Sequence, residues 1–443
     1  MNHRCEFWLP TKRRSCANIP LPHSRFCGNH NPIAEEQRVP CSIDPSHSVL
    51  AGSLESHLKR CPMRKRTMEL EAQPFYQKGV NSGEDGTTPF VTSEQKRNAI
   101  YKMSIDEFRR LLMKIKNIHS SITLSNKMTD SYVEMDVCGD WAKKRQKEQK
   151  LPFQEKHSLQ QASIIGNMAI FGILKHKVDQ LKSEFPISES GMDPTPAVVE
   201  FGAGRGYLTQ MLVDCYGIYK VFLVERRAYK LKADRSLRKN KTIKILQRLR
   251  IDIEDLNLNA INQLRGLPYL AIGKHICGPA TDLTLKCCFR GSHNQNENAY
   301  PKGLALATCC HHLCQWKHYI NKKFLKDKGI TMSEFHAITW LSSWAVDTDH
   351  TNHSLNSSDI ILNHDDRLSS VETVMEGEGV EVLTKKMKLE ERVTLGFICK
   401  DIIDIGRLLW VEEHGLLANL VKYVPPNISP ENHLLVAKWV HHI

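Results

Sequence analysis

The chain has 443 residues, 41% of them hydrophobic and 25% charged, with a formal net charge of +12. That length accommodates small modules plus one or two globular domains, and no run of eighteen apolar residues occurs that would span a bilayer as a helix. Residues 1–150 hold 25 Lys and Arg against 17 Asp and Glu, while the other 293 hold 36 against 32; such a surplus favours a polyanionic partner, although charge alone fits a soluble basic protein equally well.

The first 61 residues carry two non-overlapping sets of four zinc-ligating side chains, Cys5/Cys16/Cys27/His30 and Cys41/His47/His57/Cys61. Structural zinc takes four sulfur or nitrogen ligands, and segments this short and this poor in large apolar residues cannot fold on a hydrophobic core. Zinc binding contributes roughly 10 to 16 kcal/mol to the folding of small fingers. The spacing therefore predicts two structural zinc ions, in a CCCH-type finger over 1–36 and a CHHC-type finger over 37–66. In the second, Ser53 is expected to cap a short helix that ends before Pro62, placing His57 and Cys61 on one side. Cys27 and His30 form a similarly tight pair. No apolar leader precedes these cysteines, so metal rather than disulfide chemistry is expected, in an intracellular compartment, cytoplasm or nucleus.

Residues 67–155 read as a basic linker with a helical segment able to form a coiled coil. Met63–Arg66 and the Gly/Thr/Ser-containing stretch Lys78–Ser93 read as a linker. From Ser104 to about Ser120, Phe108, Leu111, Leu112 and Ile115 follow helical spacing, and Ser104 and Glu107 match a capping box, which predicts a helix with a packing or partner face. The basic tract Lys143–Lys150 is either a contact for a phosphate backbone or a solvated helix face.

Residues 156–443 alternate apolar strand, glycine turn and amphipathic helix. Strands are predicted over Ala197–Phe201, Tyr219–Val224, Thr242–Leu246, Leu267–Gly273, Gly303–Ala307 and, after a helix containing Cys399–Arg407, near Leu434–Trp439. The alternation predicts an α/β fold with a parallel, Rossmann-like sheet wound on both faces. Residues 345–383 interrupt it with nine acidic residues and one basic, read as a flexible acidic insertion.

The run Val198-Val-Glu200-Phe-Gly202-Ala-Gly204-Arg-Gly206 ends a strand and opens a helix. Its glycines allow a sharp turn and close approach of a ligand to free N–H groups. Dinucleotide enzymes use G-x-G-x-x-G, whose helix N-terminus holds a pyrophosphate. Here the spacing is G-x-G-x-G behind a carboxylate, Glu200, which repels a pyrophosphate and attracts an ammonium. The ammonium of S-adenosylmethionine fits, which predicts a SAM-dependent methyltransferase domain. Glu225, at the end of the second strand, is placed to accept bonds from ribose hydroxyls, and Asp252, after the third, to read an adenine edge.

The stretches after the fourth and fifth strands, Lys274-His-Ile-Cys-Gly-Pro-Ala-Thr-Asp282-Leu283 and Cys309-Cys310-His311-His312-Leu-Cys314, are rich in groups that bind protons or metals. With the two finger patterns and Ile403-Asp-Ile-Gly-Arg407, they make the chain resemble, over nearly its full length, the eukaryotic tRNA 2′-O-methyltransferases that modify nucleotide 4 of the acceptor stem. The resemblance implies methyl transfer from S-adenosylmethionine to a ribose 2′-hydroxyl of tRNA; no membrane partner is expected, since no apolar run is long enough to span one. Such a hydroxyl is a poor nucleophile and needs a base. His275 is the first candidate, Lys274 the second if burial lowers its pKa, and Asp282 is expected to orient one of them. Cys309 to His312 cannot all face one ion, because neighbours on an extended segment alternate sides. Two of them with Cys314 or Cys277 would suffice for a third zinc, but packing or catalysis is the expected role. The competing class is a non-catalytic RNA-binding or spliceosomal scaffold with two fingers and a degenerate sheet domain; a nicotinamide dehydrogenase is disfavoured by the glycine spacing.

Overall fold

The computed structural model of the chain describes residues 4–9, 14–28, 30–31, 38–44, 47–83, 88–123, 128–133, 138–141, 143–144, 155–174, 196–227, 232–291, 299–346 and 379–439. The basic tract beyond Lys144 and residues 347–378 of the expected acidic insertion 345–383 lie outside the described residues; the end of that expected insertion is instead helical from Val380, with Val380 and Leu383 buried. The chain divides into two units, Met1–Tyr76 and Gln77–Ile443.

In the first unit, short strands β1 (Trp8–Leu9) and β2 (Arg14–Ser15) pair antiparallel, as do β3 (Arg38–Pro40) and β4 (Ser48–Leu50). Among the described residues the buried cluster of the first finger is its own ligands, Cys5, Cys16 and Cys27, with Leu9 and Phe26 packed against them. Helix α1 (Leu54–Arg60) carries His57, but Ser53 does not cap it: its backbone is already helical and its side chain makes no bond to the helix start. Nor does Pro62 lie beyond a helix end. The chain kinks at Cys61 (φ −57°, ψ 127°) and Pro62 opens a second helix, α2 (Pro62–Glu71), since a proline at the first helical position sacrifices no hydrogen bond. The segment Met63–Arg66 is thus helical and not a linker.

The second unit begins well before residue 156. Asn81 is fully buried and its amide donates to the Ile253 and Leu256 carbonyls. Helix α3 (Ser93–Tyr101) is closed by a capping box between Thr92 and Gln95. Helix α4 (Ile105–Thr123) starts at the box expected from Ser104 and Glu107, with 2.8 and 3.2 Å bonds, and buries Phe108, Leu111, Leu112 and Ile115. Its stripe packs within the domain, and Lys114 reaches Glu334 at 2.8 Å and His119 reaches Asp401 at 2.9 Å. Of the segment expected as a linker with a coiled-coil helix, the described residues from Gln77 onward belong to the larger unit.

Then follow β5 (Met128–Asp130), α5 (Glu155–Ile170), β6 (Ala197–Phe201), α6 (Tyr207–Tyr216), β7 (Lys220–Val224), α7 (Lys232–Lys239) and β8 (Ile245–Leu249). The chain continues through β9 (Pro268–Cys277), α8 (Pro279–Phe289), β10 (Tyr300–Cys309), α9 (Lys322–Asp327), α10 (Met332–Leu341), α11 (Val380–Lys386), α12 (Leu389–Glu413), β11 (Leu416–Lys422) and β12 (His433–Trp439). Among the described residues these strands form one sheet of order β5-β11-β12-β10-β9-β6-β7-β8. The sheet is not wholly parallel as expected: β12 runs antiparallel between β10 and β11. Strand β11, absent from the sequence reading, occupies the place beyond it. The third predicted strand is displaced three residues toward the C-terminus, because β8 is a half-buried edge in which Gln247 and Arg248 replace an apolar run.

The core lies on the helix-covered faces of the sheet. Val198, Val221, Leu223, Leu270, Ile272, Ala305 and Val436 from the strands pack with Leu208, Met211 and Leu212 of α6 and Ile164, Ile165 and Met168 of α5. Strand β6 is buried at every residue, as a central parallel strand covered on both faces must be.

Candidate active site

Connections leave β6 and β9 in opposite directions, which opens a crevice at the carboxyl ends of the strands, the place where doubly wound sheets bind ligands. A cavity of about 1020 Å³ occupies it. Its floor is the glycine turn: Gly202, Gly204 and Gly206 have φ of 60°, 49° and 79°, the left-handed region that side chains disfavour. At Gly204 a Cβ would meet nothing closer than 3.9 Å, so the backbone there is open to a ligand. Arg248 stabilises the turn from behind, donating to the Gly204 carbonyl at 3.0 Å while forked onto Asp234 at 2.7 and 2.8 Å.

The three acids singled out in the sequence line this cavity. Glu200 is buried on β6, and Thr209 donates to one of its oxygens through its N–H and its hydroxyl. Burial raises its pKa to about 7, against the opposing pull of the Thr209 bonds and Arg248. Glu225 accepts the Gly204 N–H at 3.0 Å and the Arg227 N–H at 2.8 Å, so it braces the turn and retains lone pairs for a ligand. Asp252 accepts the Glu254 N–H at 3.2 Å and pairs with Arg226 at 3.1 Å.

The opposite wall comes from a bulge in β9. Leu306 pairs with Gly273 and Thr308 with Ile276, so Lys274 and His275 face the single residue Ala307. A bulge bends a strand and re-aims its side chains; here His275 takes φ 63°, and Lys274 and His275 both line the cavity. The Lys274 ammonium lies 3.0 Å from His157 Nδ1 on α5, a neighbour 117 positions away that no local pattern in the sequence signalled. Burial lowers Lys274 to about 8, with Glu200 opposing the shift. Burial, together with the charge of Lys274, lowers His275 to about 4 even though its ring borders the cavity. Of this pair the lysine, not the histidine, titrates nearer neutrality.

Asp282 stands apart from both. It is 1% exposed, its carboxylate is bound by Arg407 at 2.6 and 3.2 Å, and it accepts the Ile320 N–H at 3.1 Å. It orients neither Lys274 nor His275; it neutralises a buried guanidinium. Arg407 in turn bonds Asp404 at 2.8 Å and the Gly278 carbonyl at 3.2 Å. Asp404 also accepts from Thr308, His311 and His433 at 2.7 to 2.8 Å. Burial alone would raise Asp404, but His311, His433 and Arg407 hold it well below the ordinary carboxylate range. The Ile403–Arg407 segment thus ties α12 to the loops that follow β9 and β10. Cys314 belongs to this core against Arg407 at 3.2 Å, whereas Cys277, Cys309 and Cys310 gather elsewhere, with Cys277 lining the cavity. Lys96, buried on α3, donates to the His312 and Cys314 carbonyls at 2.9 and 2.7 Å and fixes the same loop.

In the first unit both predicted ligand sets converge, each within 4.8 Å. His30 Nδ1 lies 3.5 and 3.4 Å from the Cys5 and Cys27 sulfurs. In the second set the Cys41 and Cys61 sulfurs are 3.9 Å apart, and His57 and His47 Nε2 atoms lie 3.3 and 3.7 Å from them respectively. Four soft or borderline donors pointed at one centre, with so small an apolar core, fit structural zinc.

Sheet, crevice and paired metal modules together define a zinc-finger protein whose larger domain is an α/β fold with a cofactor-sized cavity at its switch point. Sequence comparison makes the assignment particular. A model of the family described as Methyltransferase TRM13 matches residues 159–438, the CCCH zinc finger in TRM13 protein matches 3–31, and the U11-48K-like CHHC zinc finger matches 38–62. The chain belongs to the TRM13 methyltransferase family and bears both zinc fingers. It is 52% identical over 236 residues to a rice protein named tRNA:m(4)X modification enzyme TRM13, covering 52% of this chain and 91% of that one. A human protein named tRNA:m(4)X modification enzyme TRM13 homolog is 29% identical over 489 residues, 98% of this chain and 94% of its own. The Saccharomyces cerevisiae protein of the same name is 26% identical over 97% of this chain and 94% of its own.

Proposed function

We propose that this methyltransferase uses S-adenosylmethionine to methylate a ribose 2′-hydroxyl of tRNA, at nucleotide 4 of the acceptor stem. The observation that carries the reading is the acid-flanked glycine turn, Glu200 and Gly202 to Gly206 with Glu225, forming one wall of the cavity that Lys274 borders from the other. The names of the relatives support tRNA as the substrate. When bound, the cofactor supplies a methyl group on a cationic sulfur. Glu200 would receive its ammonium, the open backbone at Gly204 would pass beside it, and Glu225 and Asp252 would accept from ribose and adenine. Lys274 in its neutral form accepts the proton of the attacking hydroxyl, helped by a pKa close to the working pH. His275, a weaker base, positions the sugar by hydrogen bonding, and His157 accepts from the Lys274 side chain.

This reading favours a sugar over a base as acceptor because the cavity offers a proton acceptor for a hydroxyl. Purified protein incubated with labelled S-adenosylmethionine and total tRNA is expected to methylate ribose 4, and nuclease mapping reads the position. Lys274→Arg keeps the charge but cannot deprotonate, so kcat is expected to fall by roughly 10² to 10⁴ with cofactor affinity retained. Methylation of a base, or full turnover by Lys274→Arg, would discard the mechanism. The scaffold reading predicts no heat of binding with S-adenosylmethionine and the same null result in Glu225→Ala.

A further inference from the structure

The bulge that aims Lys274 and His275 has a second effect: it resets the ladder so that Cys277 at the end of β9 pairs with Cys309 at the end of β10. Their sulfurs are 3.1 Å apart. Cys310 follows in the left-handed conformation, φ 50°. On an extended strand consecutive side chains point to opposite faces, and the left-handed turn at Cys310 overrides this, bringing its sulfur within 4.8 Å of the other two. Among the described residues no fourth ligating side chain joins this group. Cys309 is buried, Cys310 half-buried, and Cys277 exposed along the cavity wall.

We propose that Cys277, Cys309 and Cys310 form a third metal site, taking one thiophilic divalent ion of the zinc type, with its fourth coordination position open to the cavity. Two thiolates on a tetrahedral zinc at 2.3 Å must stand about 3.8 Å apart. The finger pair Cys41 and Cys61 stands at 3.9 Å, and Cys277 and Cys309 reach that separation by opening less than an ångström. Three thiolates select a soft or borderline ion over magnesium or calcium. A shell of three protein ligands with one open position is the arrangement in which water or an incoming oxygen completes the coordination. Behind the site, Glu431 accepts the Cys310 N–H at 3.1 Å and is itself held by Lys400 at 3.1 Å and flanked by His311 at 3.5 Å, the kind of outer shell that fixes ligand orientation. The site stands on the clustering of the three sulfurs and is independent of which oxygen or cofactor the neighbouring cavity receives.

Metal analysis of the full-length protein, purified with reductant and supplied zinc, is expected to give about three zinc per chain, falling to about two in Cys277→Ser and in Cys310→Ser. Cobalt substitution provides a second measurement: sulfur-to-cobalt charge-transfer absorption falls in Cys277→Ser while the finger contributions persist. Imidazole added to the cobalt form shifts the visible bands of the wild type and leaves those of Cys277→Ser unchanged. Two zinc in the wild type with all three triad thiols open to alkylation would overturn the proposal. So would a Cys277–Cys309 disulfide in protein isolated anaerobically, since it would show the pair closing rather than opening.

Discussion

In the proposed function Glu200 is the group that receives the ligand's ammonium. Buried on β6 and satisfied on one oxygen by Thr209, it titrates near 7 because burial penalises its charged form. A ligand ammonium stabilises that charged form, so binding at lower pH must expel the proton. The sign follows: affinity is full above about pH 7 and declines as pH falls through it. Calorimetry with S-adenosylmethionine in two buffers of unlike ionisation enthalpy is expected to report roughly one proton released at pH 6 and almost none at pH 8. An identical proton count at both values, or an unaltered pH slope in Glu200→Gln, would dismiss this role. That these residues gather around one crevice was legible in the sequence. Gly202 to Gly206 and Glu225 announce themselves because a tight turn demands glycine and a strand end exposes its acid. Asp282 was misread, since a carboxylate after a strand looks the same whether it faces a ligand or a guanidinium 125 positions away, and only the fold supplies Arg407. His157 was missed for the same reason.

At the level of elements, α12 is the post on which both site loops hang. Its Asp401, Asp404 and Arg407 are buried and reach α4, α8, β10 and β12 through His119, Asp282, Thr308, His311 and His433. Removing one member of such a buried set leaves charges uncompensated. Arg407→Ala is expected to lower unfolding free energy by about 3 to 5 kcal/mol in urea titrations, whereas replacing Arg407 and Asp282 together by leucine and asparagine should recover part of the loss. Equal destabilisation by the single and double variants would refute the pairing argument. Helices α4 and α12 could be foreseen from a capping box and from a long apolar-rich run. Strand β8 slipped by three residues because an edge strand lacks the continuous apolar signature, and β5, three residues long, offers none.

The whole molecule has two units stabilised by different physics. Chelation is expected to unfold Met1–Tyr76, whose buried cluster is essentially its metal ligands, while the sheet unit keeps its main thermal transition, resting as it does on the apolar core of β6, β7, β9 and β10. Differential scanning calorimetry with and without a strong chelator checks this; loss of the main transition on metal removal would contradict it. The division into metal-built modules and an α/β domain was readable from ligand spacing and strand periodicity. The boundary was not, because Asn81 and Lys96 lock an apparently linking stretch onto the larger unit by backbone contacts that leave no trace in periodicity.

The position of β12 has a consequence for synthesis. Its two neighbours, β10 and β11, do not pair with each other, and without β12 each presents an unpaired backbone edge. A nascent chain arrested anywhere from 423 to 432 therefore holds two half-sheets with sticky flanks, the state most open to wrong partners. Nonsense or frameshift lesions in that short interval would not trim an ornament from the enzyme; they would withhold the keystone, and the product is expected to go to chaperones and proteases rather than to persist as a weaker catalyst.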